Sequence, residues 1–310
     1  MINPRDAACL EPSVTGDRQL PAAGAAVPPI AFAVLAHKNP VQVADLINSL
    51  DLKTNICVVH CDSRAGVDFE RVIRCRLREA VHPNVRFMER RPITWGGWGL
   101  IGTTLEAMQI ALDWRQDWGH FVNLSGQCLP IRPMRELAAF LATAPDANFI
   151  EAVDVETDFR RALRWAGFHY VELGSRLYFT PIPRRLPRDL HLYKGSCWVK
   201  LSRDFCHHVL EDEVAQRTIA ALRPAKLPDE MLFQTIICNG PYKGTRIDDN
   251  KRLIIWPGPR SPHPEILTMR HLSQIESTGA FFARKFDAVT DHQIVDTLVQ
   301  KAQAIQETAR

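Results

Sequence analysis

The 310-residue sequence lacks several patterns that would place it in a common class. Its eight cysteines include no Cys-x-x-Cys pair, so we predict no structural zinc site and expect mostly buried thiols in a reducing compartment. No apolar run approaches the ~20 residues of a membrane-spanning helix, so we predict no transmembrane segment. A net charge of +3 is too small to indicate a nucleic-acid partner.

Glycine patterns that bind phosphate are missing as well. The chain has no Gly-x-Gly-x-x-Gly motif and no Walker A loop, so nothing supports a dinucleotide or P-loop site. The apolar stretch 22–36 contains Pro28-Pro29 and lacks both a basic flank and a small-residue cleavage site. We therefore expect no signal peptide and a cytoplasmic protein, with peripheral attachment at the inner membrane left open.

Short apolar runs alternate with amphipathic segments through the first half of the chain. Runs at 30–36, 55–60 and 84–88 suit buried strands, while segments beginning at Asn39 and spanning 69–80 suit helices. This alternation predicts an α/β fold with a parallel sheet.

Domain boundaries follow from the same patterns. Residues 1–28 mix Pro, Gly, Ala and charges without period, which predicts a flexible tail. One α/β domain is expected over 29–290, and a C-terminal helix over 291–310. Within the domain, 157–193 is poorly periodic, and we predict a functional or substrate-covering insertion there.

Two adjacent carboxylates, Asp229 and Glu230, follow Pro228 and open an apolar, helix-like segment. Proline in a first turn and acids near a helix N-terminus both stabilise a helix, so the acids could simply cap it. The alternative is that one of them is a general base, because a carboxylate within reach of a hydroxyl can take its proton. These residues by themselves favour the cap.

Two further clusters have both a functional and a structural interpretation. Asp62 follows the second strand, where ligands of parallel sheets bind, so it either contacts a nucleotide or caps a helix. The loop 95–98, Trp-Gly-Gly-Trp, offers close backbone approach and flat apolar faces to a ligand. Its alternative interpretation is a tight turn pinned by two core tryptophans.

A pair of cations, Arg284 and Lys285, lies between two phenylalanines. Such cations can clamp a diphosphate, or they can be a snorkelling surface pair. The nearest approaches to a metal-binding Asp-x-Asp motif are 154–156 and 248–249, and neither follows an apolar strand directly. We therefore predict no metal and no cofactor, in which case a leaving diphosphate needs protein cations.

Seven motifs together resemble the core-2/I-branching β-1,6-N-acetylglucosaminyltransferase and peptide O-xylosyltransferase family, glycosyltransferase family 14, in a bacterial-type form. The resemblance spans about residues 30–287. The motifs are Ala36-His37-Lys38-Asn39-Pro40, Val59-His60-Cys61-Asp62, Trp95-Gly96-Gly97-Trp98, Leu124-Ser125-Gly126-Gln127, Lys194-Gly195-Ser196, Leu227-Pro228-Asp229-Glu230 and Phe282-Ala283-Arg284-Lys285-Phe286.

The resemblance implies a GT-A-like fold with a central, mostly parallel sheet flanked by helices. It implies an inverting, metal-independent transfer of GlcNAc or xylose from a UDP-sugar to a hydroxyl of a glycan acceptor, giving a β-linkage. We expect such an enzyme to serve in cell-surface polysaccharide biosynthesis. The oligomeric state is left undetermined.

Site residues are carried over motif by motif. The resemblance implies that Glu230 is the catalytic base, that Asp62 contacts uridine, and that Arg284 and Lys285 hold the diphosphate. Asp229 is then a helix cap or a ligand of a sugar hydroxyl. The predicted donor-binding residues are Ala36, His37, Asp62, Trp95, Gly96, Gly97, Trp98, Arg284 and Lys285. The predicted acceptor-binding residues are Asp229, Lys194, Trp198 and Trp256.

Two departures from the family pattern keep other functions open. Bacterial relatives usually carry Asp where this chain has Cys128, and often carry Asp where it has Ile255, just before Trp256. The main alternative is a catalytically degenerate protein that binds a nucleotide sugar or a glycan. A nucleotidyltransferase is a third hypothesis, which predicts pyrophosphate release and a need for divalent metal.

Overall fold

The computed structural model describes residues 27–258, 261 and 263–308, and the side chains of these residues up to 304. The predicted flexible tail, residues 1–28, lies outside the described residues except for its last two positions. Among the described residues, no helix combines the length and apolar character needed to cross a membrane.

Strands and helices alternate along the described chain. The strands are β1 (Ile30–Ala36), β2 (Ile56–Cys61), β3 (Val85–Phe87), β4 (His120–Ser125), β5 (Cys128–Pro130), β6 (Asn148–Phe149), β7 (Val153–Asp154), β8 (Phe168–Leu173), β9 (Arg176–Pro183), β10 (Tyr193–Lys194), β11 (Lys200–Ser202), β12 (Arg246–Ile247), β13 (Arg252–Ile254) and β14 (Phe282–Arg284). The α-helices are α1 (Pro40–Asn48), α2 (Phe69–Arg76), α3 (Trp98–Trp114), α4 (Met134–Ala142), α5 (Arg161–Gly167), α6 (Arg203–Glu211), α7 (Glu213–Leu222), α8 (Leu232–Asn239), α9 (Leu272–Ser277) and α10 (His292–Thr308). Short 3-10 turns cover Ser63–Ala65, Glu79–Asn84, Pro228–Glu230, Pro241–Thr245 and Met269–His271.

A seven-stranded sheet in the order β12-β6-β11-β4-β1-β2-β3 forms the centre of the protein. Strands β3, β2, β1 and β4 run parallel, as do β6 and β12, while β11 is antiparallel to both of its neighbours. The predicted α/β class and the mostly parallel central sheet flanked by helices are therefore confirmed.

Strand β1 explains why the sequence shows continuous apolar runs rather than alternation. All seven of its residues are buried, because helices cover both faces of the sheet. Phe32 and Val34 face a core layer that includes α1, α4 and α10, whereas Ala31 and Ala33 face a layer that includes α3, α6 and α8. The C-terminal helix α10 thus packs on the same core as the domain before it.

The predicted end of the helix over 69–80 is wrong. Helix α2 was expected to reach residue 80 but ends at Arg76, because Leu77 adopts an extended conformation and a 3-10 turn containing Pro83 follows. Strand β10 ends at Lys194, and β11 begins only at Lys200. Between them, Gly195 lies so close to the carbonyl of Glu151 that a Cβ would overlap it.

The expected irregular insertion, 157–193, contains regular structure. It holds α5 and the antiparallel hairpin of β8 and β9, which pair from Phe168 with Pro183 to Leu173 with Arg176. Helix α7 follows α6 and was not predicted. Its start is capped by the Asp212 side chain, which accepts hydrogen bonds from Val214 and Ala215.

Candidate active site

A cleft of about 1320 Å³ opens where β1, β2 and β4 end. This is the edge of a parallel sheet at which ligands bind. All but three of the predicted site residues line the cleft; the exceptions are Gly96, Gly97 and Trp98. The lining residues from the prediction are Ala36, His37, Asp62, Trp95, Lys194, Trp198, Asp229, Glu230, Trp256, Arg284 and Lys285.

The two adjacent acids lie on a 3-10 turn rather than in a helix. The turn Pro228–Glu230 precedes α8, which begins at Leu232. Leu227 enters it with a left-handed φ of 53° and donates a backbone hydrogen bond of 2.7 Å to the carbonyl of Gly96. The tryptophan–glycine loop and the acid pair are thereby held together.

Asp229 does not cap a helix, so that prediction is wrong. No side-chain capping hydrogen bond forms at either the turn or α8, and the Oδ1 atom of Asp229 has no partner. Its side chain is buried beside Glu230. Burial and the neighbouring charge of Glu230 raise the pKa of Asp229 to about 7, although Lys194 opposes the shift. Asp229 is therefore largely neutral below pH 7.

Glu230 is held by two adjacent residues at the end of β10. Its carboxylate Oε2 lies 2.7 Å from Lys194 Nζ, and its carbonyl accepts a 2.8 Å hydrogen bond from the amide of Gly195. The Lys194 ammonium also lies 4.7 Å from the centre of the Phe159 ring. Lys194, predicted to bind acceptor, thus has an ionic partner within the protein.

The Asp62 carboxylate already accepts four hydrogen bonds. Its Oδ1 accepts from Arg64 N at 2.8 Å and Nε at 3.1 Å, and its Oδ2 accepts from Arg64 Nη2 at 2.9 Å and Ile93 N at 3.0 Å. Burial alone would raise the pKa of Asp62, but these bonds lower it to about 2. A carboxylate offers about four acceptor positions, so a uridine contact would have to displace Arg64 or Ile93.

The tryptophan–glycine loop is fixed by the β8–β9 hairpin. The Glu172 carboxylate accepts a 2.7 Å hydrogen bond from the amide of Trp98 and occupies the space where a Cβ on Gly97 would lie. Trp95 is 62% exposed, so the interpretation of two core tryptophans is wrong for this residue. Trp95 and the 54% exposed Trp256 each present an open ring at the cleft.

Cations that line the cleft gather on and beside the three-stranded sheet β13-β14-β5. The guanidinium carbons of Arg252 and Arg284 lie 4.6 Å and 4.4 Å from the centre of the Trp198 ring. Burial, Lys38 and Arg284 lower the pKa of Lys285. Sequence reasoning did not select Arg252; an arginine that opens a short apolar strand is the signal that could have identified it.

Acids that approached a metal motif in the sequence are paired within the protein. Asp154 lies 2.6 Å from His191, Asp248 lies 2.6 Å from Arg246, and Asp249 lies 2.7 Å from Lys251. No group of three or more His, Cys, Asp or Glu side chains in the described part of the chain is arranged to hold a metal ion.

A mostly parallel α/β sheet, with acids and cations sharing a cleft at the strand ends, defines an α/β protein of GT-A-like glycosyltransferase fold. The chain belongs to the Core-2/I-Branching enzyme family, whose sequence profile it matches over residues 30–277. The resemblance predicted from the seven motifs is confirmed.

The chain is similar to xylosyltransferases of animals. Xylosyltransferase oxt of Drosophila melanogaster is 27% identical over 277 residues, which cover 82% of this chain and 31% of the relative. Xylosyltransferase 1 of Homo sapiens is 28% identical over 292 residues, covering 87% of this chain and 30% of the relative. The chain spans about a third of the length of these relatives.

Proposed function

We propose that this protein is an inverting, metal-independent glycosyltransferase that moves xylose or GlcNAc from a UDP-sugar to a hydroxyl of a glycan, forming a β-linkage. The observation that carries the proposal is a carboxylate and an arginine pair facing one cleft. Cys197 lines the same cleft; burial raises the pKa of its thiol, Asp229 and Glu230 add to that shift, and Arg284 and Arg252 oppose it.

Glu230 is proposed to act as the base. In an inverting transfer, the acceptor oxygen attacks the anomeric carbon from the face opposite the nucleotide. As the new carbon–oxygen bond forms, the hydroxyl proton passes to the Glu230 carboxylate, a contribution of typically ~10²–10⁴ in rate. The ion pair with Lys194 at 2.7 Å fixes the direction of this carboxylate.

The arginine pair is proposed to stabilise the leaving group. The bond between the anomeric carbon and the phosphate oxygen breaks with its electron pair on UDP, so negative charge grows on the diphosphate. Arg252 and Arg284, both packed on Trp198, present fixed positive charge to the cleft, and Lys285 adds a third cation. Charges fixed before the reaction stabilise such a transition state without reorganisation.

Replacing the base tests the proposal directly. Glu230→Gln should reduce transfer by a factor of ~10² or more while leaving UDP affinity within a few fold. Glu151→Gln, which removes another carboxylate lining the same cleft, is the matched control. Near wild-type turnover in Glu230→Gln, or equal losses in both variants, would show that Glu230 is not the base.

Metal independence needs its own measurement. We expect transfer to continue at an unchanged rate in EDTA, because the proposed leaving-group stabilisation comes from protein cations. A large loss that Mn²⁺ or Mg²⁺ restores would reject this part of the proposal and favour a metal-assisted mechanism.

The proposed donor rests on the names of the relatives as well as on the cations of the cleft. Their names make UDP-xylose the first donor to test and UDP-GlcNAc the second. A thermal-shift screen of UDP-sugars should show the largest stabilisation for the true donor, since a ligand that binds only the folded state stabilises it by mass action. A donor that stabilises the fold without any UDP release would favour the binding-only alternative.

A cytoplasmic location and a role in polysaccharide synthesis stay predictions.

A further inference from the structure

A buried thiol directly contacts one of the two site arginines. Cys128, on β5, is fully buried, and its Sγ accepts a 2.9 Å hydrogen bond from Arg252 Nη1. The Ser125 amide lies 3.4 Å from the same sulfur, as does the Ser125 hydroxyl. On the neighbouring strand, Arg284 is the register partner of Cys128. The thiol therefore faces two guanidinium groups.

Arg252 has few means of neutralising its charge. It is buried, and its Nη2 donates to the carbonyl of Asn123 at 2.9 Å, while its Nε and that of Arg284 have no partner. In the described part of the chain, no carboxylate forms a salt bridge with Arg252 or Arg284. A guanidinium removed from water is strongly unfavourable unless an anion accompanies it. Within hydrogen-bond distance of Arg252, the group that can become an anion is the Cys128 thiol.

We propose that Cys128 is present as a thiolate, that it is the counter-ion of Arg252, and that it thereby positions this arginine for the donor diphosphate. Cys128 is a positioning residue, since it acts through Arg252 rather than on the substrate. The proposal rests on the proposed function for the identity of the diphosphate, but the charge state of the thiol can be measured without any activity.

The charges around Cys128 are consistent with ionisation. Burial alone would raise the pKa of this thiol, but Arg252 on β13, Arg284 on β14 and the hydrogen bonds of Ser125 on β4 together bring it below its ordinary value. Cys57, on β2, is equally buried without a cation beside it, and burial raises its pKa. The two thiols form a natural comparison within one protein.

A thiolate here leaves the right amount of charge for a diphosphate. Cys128 neutralises one of the two arginines, so a single net positive charge remains on this trio, and Lys285 adds a second. Both arginines pack on Trp198, at 4.6 Å and 4.4 Å. A shift of Arg252 after loss of its counter-ion would therefore disturb the packing of both arginines on Trp198.

The first experiment reads the charge of the thiol. The ultraviolet difference spectrum at pH 7 between wild-type protein and Cys128→Ser should contain the thiolate absorption band. The difference between wild type and Cys57→Ser, the control, should lack it. If the Cys128 difference also lacks the band, the thiol is neutral and the proposal is wrong. The difference spectrum between wild type and Cys128→Asp should contain the same band. The result therefore does not depend on whether the serine variant folds.

The second experiment reads the effect on the donor site. Loss of a charged hydrogen-bond partner should weaken UDP binding to Cys128→Ser by roughly tenfold or more, measured by calorimetry. Cys128→Asp restores an anion beside Arg252 and should bind UDP within about threefold of wild type. Equal affinity in all three proteins, or equal losses in both variants, would refute the positioning role.

Failure of this proposal and failure of the proposed function give different results. If wild type binds UDP but transfers no sugar, the transferase assignment fails while the spectral and binding comparisons still decide the role of Cys128. If transfer is observed, but the Cys128 difference spectrum lacks the thiolate band and Cys128→Ser binds UDP as tightly as wild type, only the role of Cys128 is refuted.

Discussion

Replacing Asp229 with Asn should change how stability depends on pH. The side chain is 6% exposed, its Oδ1 has no partner, and its pKa is raised from 3.8 to about 7. Below pH ~4 Asp229 is neutral in both the folded and unfolded states. Between pH ~4 and ~7 the unfolded chain ionises it while the folded protein does not, so stability falls as pH rises through this window.

The size of the effect follows from the two pKa values. A difference of one pKa unit corresponds to about 1.4 kcal/mol, so moving from 3.8 to about 7 corresponds to a total loss of ~4 kcal/mol once the pH exceeds 7. Between pH 5 and pH 8 the expected part of this loss is ~2–3 kcal/mol. An asparagine cannot ionise, so the variant should lack this component.

Urea denaturation at pH 5 and pH 8 measures this pH-dependent component of the stability. The stability of Asp229→Asn relative to wild type should rise by ~2–3 kcal/mol between the two pH values, and other titrating groups cancel in this comparison. Asp189→Asn, at an exposed position, is the control and should differ from wild type equally at both pH values. Parallel pH dependence of Asp229→Asn and wild type would refute the argument that burial keeps Asp229 neutral.

Two other substitutions test the supports of the site. Asp62→Asn should lower the free energy of unfolding by ~1.5–3 kcal/mol at pH 7, because Arg64 loses its charged partner. This loss should shrink as the pH falls from about 4 toward the folded pKa of Asp62, which is about 2. Urea titrations at several pH values can follow the change. Lys194→Met should lower kcat by about tenfold or more, because Glu230 loses the ion pair that orients it, whereas Lys226→Met should not. Unchanged kcat in Lys194→Met would mean that the ion pair does not direct the base.

Sequence alone predicted the parts of the fold that depend on local pattern. The run 30–36 predicted β1 to the residue, because a strand covered on both faces must be apolar throughout. The family resemblance assigned Asp62 and Glu230 to one site, and both line the cleft. The hairpin of β8 and β9 was not predicted, since its pairing and its contact through Glu172 with Trp98 join residues far apart in sequence.

Side-chain partners were the least predictable part of the site. The motif that contains Asp62 indicated a nucleotide contact, yet the structure fills its acceptor positions with Arg64 and Ile93. Arg252 was overlooked because its importance depends on Trp198, in the segment between β10 and β11, and on Arg284 of β14, which meet Arg252 only in the folded protein. Such contacts have no periodicity from which a sequence pattern could be read.

The different surroundings of Asp229 and Glu230 separate the roles of the two acids. Asp229 is buried without a partner for Oδ1, so the folded protein favours its neutral form. Glu230, one residue further, reaches Lys194 at 2.7 Å and keeps part of its side chain open to the cleft. Two ionised carboxylates side by side would repel each other, and a neutral Asp229 removes that repulsion. One acid held neutral beside one held by a cation supports the proposal that Glu230 is the carboxylate that accepts the proton.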